Sequence, residues 1–526
     1  MHVGVFARHS MLLVLISSVR MAHSLRFGAG KPKMMSSASQ AFDLVVIGGG
    51  SAGLEAAKFA ATFGKTSVIV EKAKLGGDCT WTGCVPSKTL LSAANAAYAV
   101  TTAKSKWGIT NAPEKVEVDF QAVMAKVASA RARIYDKDDA PDVMTAKGVE
   151  TMEGTATFVS PDTLTVTRPD GSTTTLSATS GVLVATGAGP VTPKIEGLDT
   201  VPYLTYEQVF ELQTVPRALT VVGGGPIGCE LAQALSRLGS KVTLCAPKLM
   251  PTLDPEAGEA LADALRAEGV TIITGRASAI APAADGGHVL TCGGESVEGD
   301  TLLVAAGRRA YTEGLGLDAI GVDRDPKSGG IIVDQQLRTS VAGIYAAGDC
   351  TGDVQFTHYA GFQGATAAAN ALLPIVLKGV ESRVPGCTFT QPEVAHIGLT
   401  AQQAIAKHGE GKVVVSRVPL TDVDRAVCAG TEAFGFLQTV TLANGDILGA
   451  TFVAPTAGEL ICEMSLAMSA KVKLPKLASV MHAYPTYALP IQSPLAKDVY
   501  YKSLQGYGPI LEWIAKIFKG RLKIPF

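Results

Sequence analysis

The stretch Gly76-Gly77-Asp78-Cys79-Thr80-Trp81-Thr82-Gly83-Cys84-Val85-Pro86-Ser87-Lys88 decides how the rest of this chain is read. Two cysteines stand five positions apart among three glycines, ahead of the helix-like run Ser87-Lys88-Thr89-Leu90-Leu91. Pro86 takes an early position that a helix tolerates. On a regular helix the two Cα atoms would lie about 8.7 Å apart, from the standard rise and radius. That exceeds the ~7 Å reach of a disulfide. The pair can bridge only where the chain turns irregularly into its helix, a freedom that Gly76, Gly77 and Gly83 supply. A helix N-terminus also lowers a thiol's pKa, favouring the thiolate that exchange and electron transfer require. Cys79 and Cys84 are therefore a candidate redox pair.

Just upstream, the apolar strand Phe42–Ile47 runs into Gly48-Gly49-Gly50-Ser51-Ala52-Gly53, which fits G-x-G-x-x-G at 48, 50 and 53. An Ala-rich helix follows from Leu54 to Phe63, then the strand Ser67–Val70 ending on Glu71. Strand, glycines, helix, strand and acid in that order make a dinucleotide-binding unit. The glycines let backbone approach a pyrophosphate, Ser51 and Ala52 open the helix whose N-terminus supplies donors, and Glu71 accepts from a ribose hydroxyl. A second unit runs from Ala218–Val222 into Gly223-Gly224-Gly225-Pro226-Ile227-Gly228, with glycines at 223, 225 and 228, then Cys229-Glu230 and a helix. Its second strand, Lys241–Cys245, ends on Ala246, where an acid would select NADH by binding the ribose 2′-OH. With no acid there and Lys248 close by, the site favours NADPH over NADH. Leu302–Ala306 with Gly307-Arg308-Arg309 closes this unit.

Together these motifs resemble the class I pyridine nucleotide-disulfide oxidoreductases, which include dihydrolipoamide dehydrogenase, glutathione reductase and mercuric reductase. Gly-Gly-x-Cys-x-x-x-Gly-Cys-x-Pro-x-Lys is their active-site motif. The resemblance implies an α/β chain with two Rossmann-like nucleotide-binding domains, for FAD and NAD(P), and a C-terminal α+β dimerisation domain. It implies FAD in the first unit, completed by Thr186-Gly187 after the buried strand Gly181–Ala185 and by Asp349 in Ala346-Ala347-Gly348-Asp349-Cys350. Cys84 would face the flavin, Cys79 would meet substrate, and Lys88 would lie near the flavin with Glu230 as its partner. Expected bounds are 1–41 for an extension, 42–199 with 330–378 for the FAD domain, 200–329 for the NAD(P) domain, 379–500 for the interface domain and 501–526 for a tail. Trp81 is larger than the usual residue and is expected to narrow or stack over the substrate side. A homodimer is implied, with active sites that draw on both chains.

The interface domain shows antiparallel signals: strands at Val413–Val418, Gly435–Thr441 and Ile447–Val453, with an Asn444-Gly445 turn before the last. At its end stands His482-Ala483-Tyr484-Pro485-Thr486-Tyr487-Ala488-Leu489. The family's disulfide reductases carry His directly before this Pro and Glu five residues after that His. Here the two positions hold Tyr484 and Leu489, and His482 is displaced by two residues. Tyrosine has a reference pKa near 10 and is a poor base near neutrality. Tyr484 looks like mercuric reductase, where it helps to hold the metal, although no cysteine stands after Cys462. The acceptor is accordingly a small disulfide, a quinone-like molecule or a metal ion. The alternatives are a mercuric reductase-like enzyme and a non-catalytic flavin-binding interaction protein.

With 47 acidic and 46 basic residues, nothing attracts nucleic acid. The other seven cysteines are scattered and read as small buried hydrophobes, and the 8 histidines show no metal-ligand spacing, so no metal site is expected. No Asp or Glu precedes Asp43, and Met11–Ile16 is apolar between basic flanks. That is a targeting-like segment, read as organellar (plastid or mitochondrion), with cytoplasmic or secretory destinations as alternatives. Residues 509–523 read as a basic amphipathic helix suited to peripheral membrane contact or to packing on its own domain.

Overall fold

The first strand starts at Gln40, two residues ahead of the expected domain start. The structure is a computed structural model that describes residues 40–505 except Glu114 and Asp285, together with Gly508, Ile510 and Glu512. The basic extension and nearly all of the expected 509–523 helix lie outside the described residues.

Strand β1 (Gln40–Ile47), helix α1 (Ser51–Thr62) and strand β2 (Ser67–Glu71) form a parallel β-α-β unit. Val45 and Val46 point to opposite faces and both are fully buried: Val46 packs with the alanines of α1, and Val45 with Phe158, Leu164 and Leu176 on the other face. The turn between β1 and α1 is tight enough to demand glycine. Gly48 has φ +105°, and a Cβ there would meet the Ala185 carbonyl oxygen at 2.3 Å. A Cβ on Gly53 would meet the Gly48 oxygen at 1.9 Å, so α1 sits directly on the end of its strand. Helices α2 (Gly77–Trp81) and α3 (Cys84–Trp107) follow. Strands β3 (Glu150–Glu153), β4 (Thr155–Ser160), β5 (Thr163–Thr167) and β6 (Thr173–Val184) complete a sheet of order β3-β2-β1-β6-β5-β4.

The chain then leaves this sheet through β7 (Ala188–Pro190) and builds a second one. It comprises β8 (Ala218–Val222), α4 (Pro226–Arg237), β9 (Lys241–Ala246), α5 (Pro255–Ala267) and β10 (Thr271–Thr274). An antiparallel trio, β11 (Ala277–Pro282), β12 (His288–Cys292) and β13 (Glu295–Gly299), precedes β14 (Thr301–Val304), and the parallel order is β10-β9-β8-β14. Strand β15 (Arg308–Ala310) pairs with β7, closing the two connections between the sheets against each other. Strand β16 (Ile344–Ala346) then returns to the first sheet beside β6, and α6 (Thr357–Leu372) packs on α1. The first nucleotide unit is thus made of two pieces of chain with the second unit inserted between them.

The remainder is an antiparallel sheet of β17 (Gly386–Thr388), β18 (Glu393–Gly398), β19 (Val413–Pro419), β20 (Phe436–Leu442) and β21 (Ile447–Ala454), in the order β17-β18-β21-β20-β19. Gly445 takes φ +83° in the expected turn between β20 and β21. Helix α7 (Ala457–Ser469) covers the sheet, its Ile461 and Met464 packed with Phe452. Helix α8 (Lys497–Gln505) runs through residue 500, so the expected border between interface domain and tail falls inside a helix. Among the described residues no helix is long and apolar enough to cross a membrane.

The α1–α6 contact is a test of this packing. A Cβ on Gly364 would meet the Ala52 oxygen at 2.0 Å, and that neighbour is backbone that cannot yield. Gly364→Ala should destabilise the protein by about 1–3 kcal/mol, the usual cost of overpacking. Chemical denaturation would read this as a lowered midpoint, and an unchanged midpoint would show that the helices have room.

Candidate active site

Helix α2 does not continue into α3. Thr82 (φ −134°, ψ 0°) and Gly83 (φ −117°, ψ −114°) break it, and the new helix starts on Cys84. A Cβ on Gly83 would meet the Asp78 oxygen at 2.7 Å, so the break needs glycine. The break lets the Cys79 and Cys84 thiols hydrogen-bond to each other. Thr357 joins them from the start of α6, its Oγ1 lying 3.3 Å from Cys84 Sγ. The two sulfurs are driven apart in acidity. The bond donated by Cys79 pulls Cys84 down to about 6, helped by the Thr357 hydroxyl and the Lys88 charge against the opposing effect of burial. Cys79 is pushed far up, first by holding that shared proton and then by burial.

Lys88 lies one helical turn beyond Cys84. Its Nζ is 2.9 and 3.1 Å from the two Glu230 carboxylate oxygens. Glu230 is buried on α4, directly behind the second fingerprint, and also accepts the Phe389 N–H at 2.8 Å. The ammonium sits 4.6 Å from the centre of the Phe389 ring. One ion pair thereby joins the dithiol helix, the second nucleotide unit and the interface domain. Because Lys88 is 35% exposed, removing one partner should cost less than the ~3–5 kcal/mol of a fully buried pair.

These groups open onto one cavity of about 2470 Å³, which also reaches both glycine turns. Ordinary ligand pockets hold about 300–1,000 Å³, so the space suits two extended nucleotides rather than one small ligand. The residues fit FAD on the first side. Glu71 is held at the strand end by accepting the Gly49 N–H at 2.7 Å and the Ala73 N–H at 2.9 Å. Gly50 faces Gly77 with only 3.8 Å from a would-be Cβ to its Cα, which places the dithiol motif beside the glycine turn. Ser51 and Ala52 line the cavity at the first turn of α1. Gly187, at φ +75°, borders open space, and Thr186 donates to the Tyr311 carbonyl. Burial pushes the Asp349 carboxyl up against the pull of Arg308, whose Nη1 lies 2.9 Å away. The same guanidinium is paired with Asp78, which accepts the Tyr206 hydroxyl at 3.2 Å. Arg308 directly follows Gly307 in the chain, its one sequence link to the site.

The second coenzyme turn repeats the first. A Cβ on Gly223 would meet the Ala305 oxygen at 2.2 Å and one on Gly228 the Gly223 oxygen at 2.0 Å, while Gly225 and Gly307 border open space. Lys248 lines the cavity just past β9 and is exposed. A second exposed cation, Arg276 from the β10–β11 connection, lines the same end. No motif surrounds Arg276, so nothing in the sequence pointed to it.

Tyr484 and His482 are not brought to the cavity of their own chain. The Tyr484 hydroxyl donates to Asp424 at 2.8 Å, and the residue is 69% exposed. His482 Nε2 lies 3.1 Å from Glu463 and Nδ1 3.0 Å from the Val480 carbonyl. Both partners are acceptors, so neither ring nitrogen is offered to a thiol. Trp81 departs from expectation as well. Its indole N–H donates to the Leu75 carbonyl at 2.7 Å, and its ring packs against Tyr135 and Lys74. Trp81 braces the motif from behind, touching the cavity without capping it. Cys229, Cys245, Cys292 and Cys350 are buried as expected, but Cys428 is exposed and Cys387 and Cys462 line the cavity.

Comparison with known proteins gives a family. Residues 42–364 match the family described as pyridine nucleotide-disulphide oxidoreductase, and residues 384–493 match its dimerisation domain. The mercuric reductase of Streptomyces lividans is 36% identical over 468 residues, covering 86% of this chain and 95% of the relative. That of Shigella flexneri is 35% identical, covering 85% and 79%. The dihydrolipoyl dehydrogenase of Chlorobaculum parvum is 34% identical, covering 90% and 99%. The Cu(II) complex of the HOCl-induced flavoprotein disulfide reductase RclA from Escherichia coli superposes with a TM-score of 0.75 at 24% identity, over 88% of this chain and 99% of that one, a likeness of fold.

The split in thiol acidity is open to measurement. In reduced protein one thiolate should form with a midpoint near about 6, seen as the ultraviolet thiolate absorbance that Cys84→Ser removes. Lys88→Met takes away a favourable charge and should raise that midpoint. A midpoint at the ordinary cysteine value of about 8.5 would show that the site does not polarise the pair.

Proposed function

The chain belongs to the pyridine nucleotide-disulphide oxidoreductase family, and we propose that within it NADPH is the electron donor and a soft metal ion, presented as a thiol complex, the acceptor. The family's activity defines the frame: an FAD-dependent oxidoreductase passing electrons from a reduced nicotinamide coenzyme to a cysteine pair, working as a homodimer. FAD, when bound, supplies the two-electron carrier between nicotinamide and disulfide. Gly48, Gly50, Glu71 and Asp349 would hold it, and Lys88 would stand beside it, neutralised by Glu230.

The protein's own groups do the rest. Reduction of the disulfide leaves a proton on Cys79 and negative charge on Cys84, the assignment that the pair's acidities support. Cys79 is then the sulfur that meets the acceptor.

The acceptor reading is carried by one observation: Tyr484 replaces the histidine that a disulfide reductase uses to protonate its departing thiol. A metal–thiolate acceptor places less demand on such a base, because soft cations exchange readily between thiolates. The relatedness to mercuric reductases supports the same choice. In the homodimer, we place the exposed Tyr484 of one protomer at the dithiol of the other. The NADPH reading rests on Lys248 and Arg276, two exposed cations that line the cavity, and on Ala246 standing at the end of β9 where an acid would select NADH. Their chemistry matches a 2′-phosphate.

Steady-state kinetics with each coenzyme and a panel of Hg(II), Cu(II), glutathione disulfide and a quinone test both parts. Lys248→Ala and Arg276→Ala should each raise KM for NADPH by about tenfold, equivalent to about 1.4 kcal/mol, and leave KM for NADH unchanged. Thiol-complexed Hg(II) or Cu(II) should be turned over faster than glutathione disulfide. Cys79→Ser should abolish that turnover while the flavin still accepts electrons from NADPH. Efficient glutathione disulfide reduction would overturn the acceptor reading, and equal kcat/KM for the two coenzymes would overturn the donor reading.

A further inference from the structure

Thr357 lies 273 residues from Cys84 in sequence, outside every motif that marks the redox pair, yet its hydroxyl lies 3.3 Å from Cys84 Sγ and also affects the acidity of Cys79. It is the first residue of the sixteen-residue helix α6, and no side chain caps that N-terminus. The unpaired N–H groups of a first turn favour negative charge beside them. A threonine hydroxyl has one proton to donate and lone pairs to accept with, so it can serve only one sulfur as donor at a time.

The charged groups around the pair do not make this choice by themselves. Lys88 on α3 faces Cys84, but Glu230 on α4 opposes most of its charge from 2.9 Å away. On the other side Asp139 faces Cys79 and accepts the Thr80 hydroxyl at 2.8 Å, discouraging charge on Cys79 without stabilising it elsewhere. Beside the Cys79 thiol, Thr357 offers a second neutral, directional donor within reach of Cys84.

We propose that Thr357 is a catalytic residue of the relay, its hydroxyl donating to Cys84 in the reduced enzyme and so fixing the negative charge on that sulfur. The step balances. The disulfide takes two electrons, supplied by the coenzyme through the flavin, and one proton from solvent; the S–S bond breaks, leaving a thiol at Cys79 and a thiolate at Cys84. A hydrogen bond to an ionised group is among the stronger ones available to a side chain. Losing this one moves charge back toward Cys79 and weakens the thiolate's approach to the flavin.

This inference rests on Cys79 and Cys84 being the redox pair, and the experiment separates the two claims. The FAD-loaded wild type, Thr357→Val and Thr357→Ser are each reduced anaerobically with one equivalent of dithionite. The long-wavelength thiolate–flavin absorbance is then followed against pH. In the wild type the band should persist down to a midpoint near about 6. Valine, which keeps the shape and loses the hydroxyl, should move the midpoint up by about one pH unit, tenfold in the thiolate-to-thiol ratio, and serine should restore it. A valine midpoint equal to that of the wild type, or a serine midpoint displaced as far as that of valine, overturns the role of Thr357. Absence of the band from the wild type overturns the redox pair itself. Should the valine variant lose its flavin, Thr357→Ala provides the same comparison.

Discussion

Two sulfurs five positions apart can meet only if the helix between them is broken, and the break at Thr82 and Gly83 is the constraint on which this molecule depends. An unbroken helix would hold the Cα atoms beyond disulfide reach. The break also starts a new helix on Cys84, which sets Lys88 one turn further on and facing Glu230. The position of the redox pair and its lysine therefore comes from one local irregularity. Gly83 is its necessary residue, since a side chain there would strike the Asp78 carbonyl.

Charge around the pair is organised by two paired networks rather than by isolated ions. Lys88 and Glu230 neutralise each other at the junction of three parts of the fold. Arg308 bridges Asp78 and Asp349, one cation between two carboxylates, and ties the dithiol motif to the acid assigned to FAD. Arg308 offsets the Asp78 carboxylate that stands beside the first glycine turn. Burial of these groups makes their pairing matter, because an unpaired charge in such surroundings is costly.

Much of this was legible in the chain itself, for physical reasons that differ from residue to residue. The two β-α-β units could be read because their information is local: glycines that only glycine can replace, an apolar strand before them and a strand end after them. The spacing of Cys79 and Cys84 foretold an irregular turn because helix geometry excludes the alternative. The Asn444-Gly445 turn was visible because its backbone conformation requires such residues. By contrast, Thr357, Arg276 and Arg308 act through contacts made across the fold, and no local preference records such a contact. Trp81 was misread because its size suggested a lid, while its indole N–H had to find an acceptor and found Leu75 behind the motif. Cys387 and Cys462 were passed over because nothing in their neighbouring residues distinguishes a cavity wall from a core.

The insertion of one nucleotide unit inside the other has a consequence for how the protein is made. The sheet begun by β1 receives β16, and α1 receives α6, only after the whole intervening unit has been synthesised. A ribosome delivers about 5–20 residues each second, so the nascent chain carries its two reactive thiols for many seconds before Thr357 arrives to meet them. During that interval α1 lacks its covering helix, and apolar surface that is later sealed stays open to water. Long-range closure of this kind is slow by nature, and that surface waits for α6 (Thr357–Leu372) to emerge.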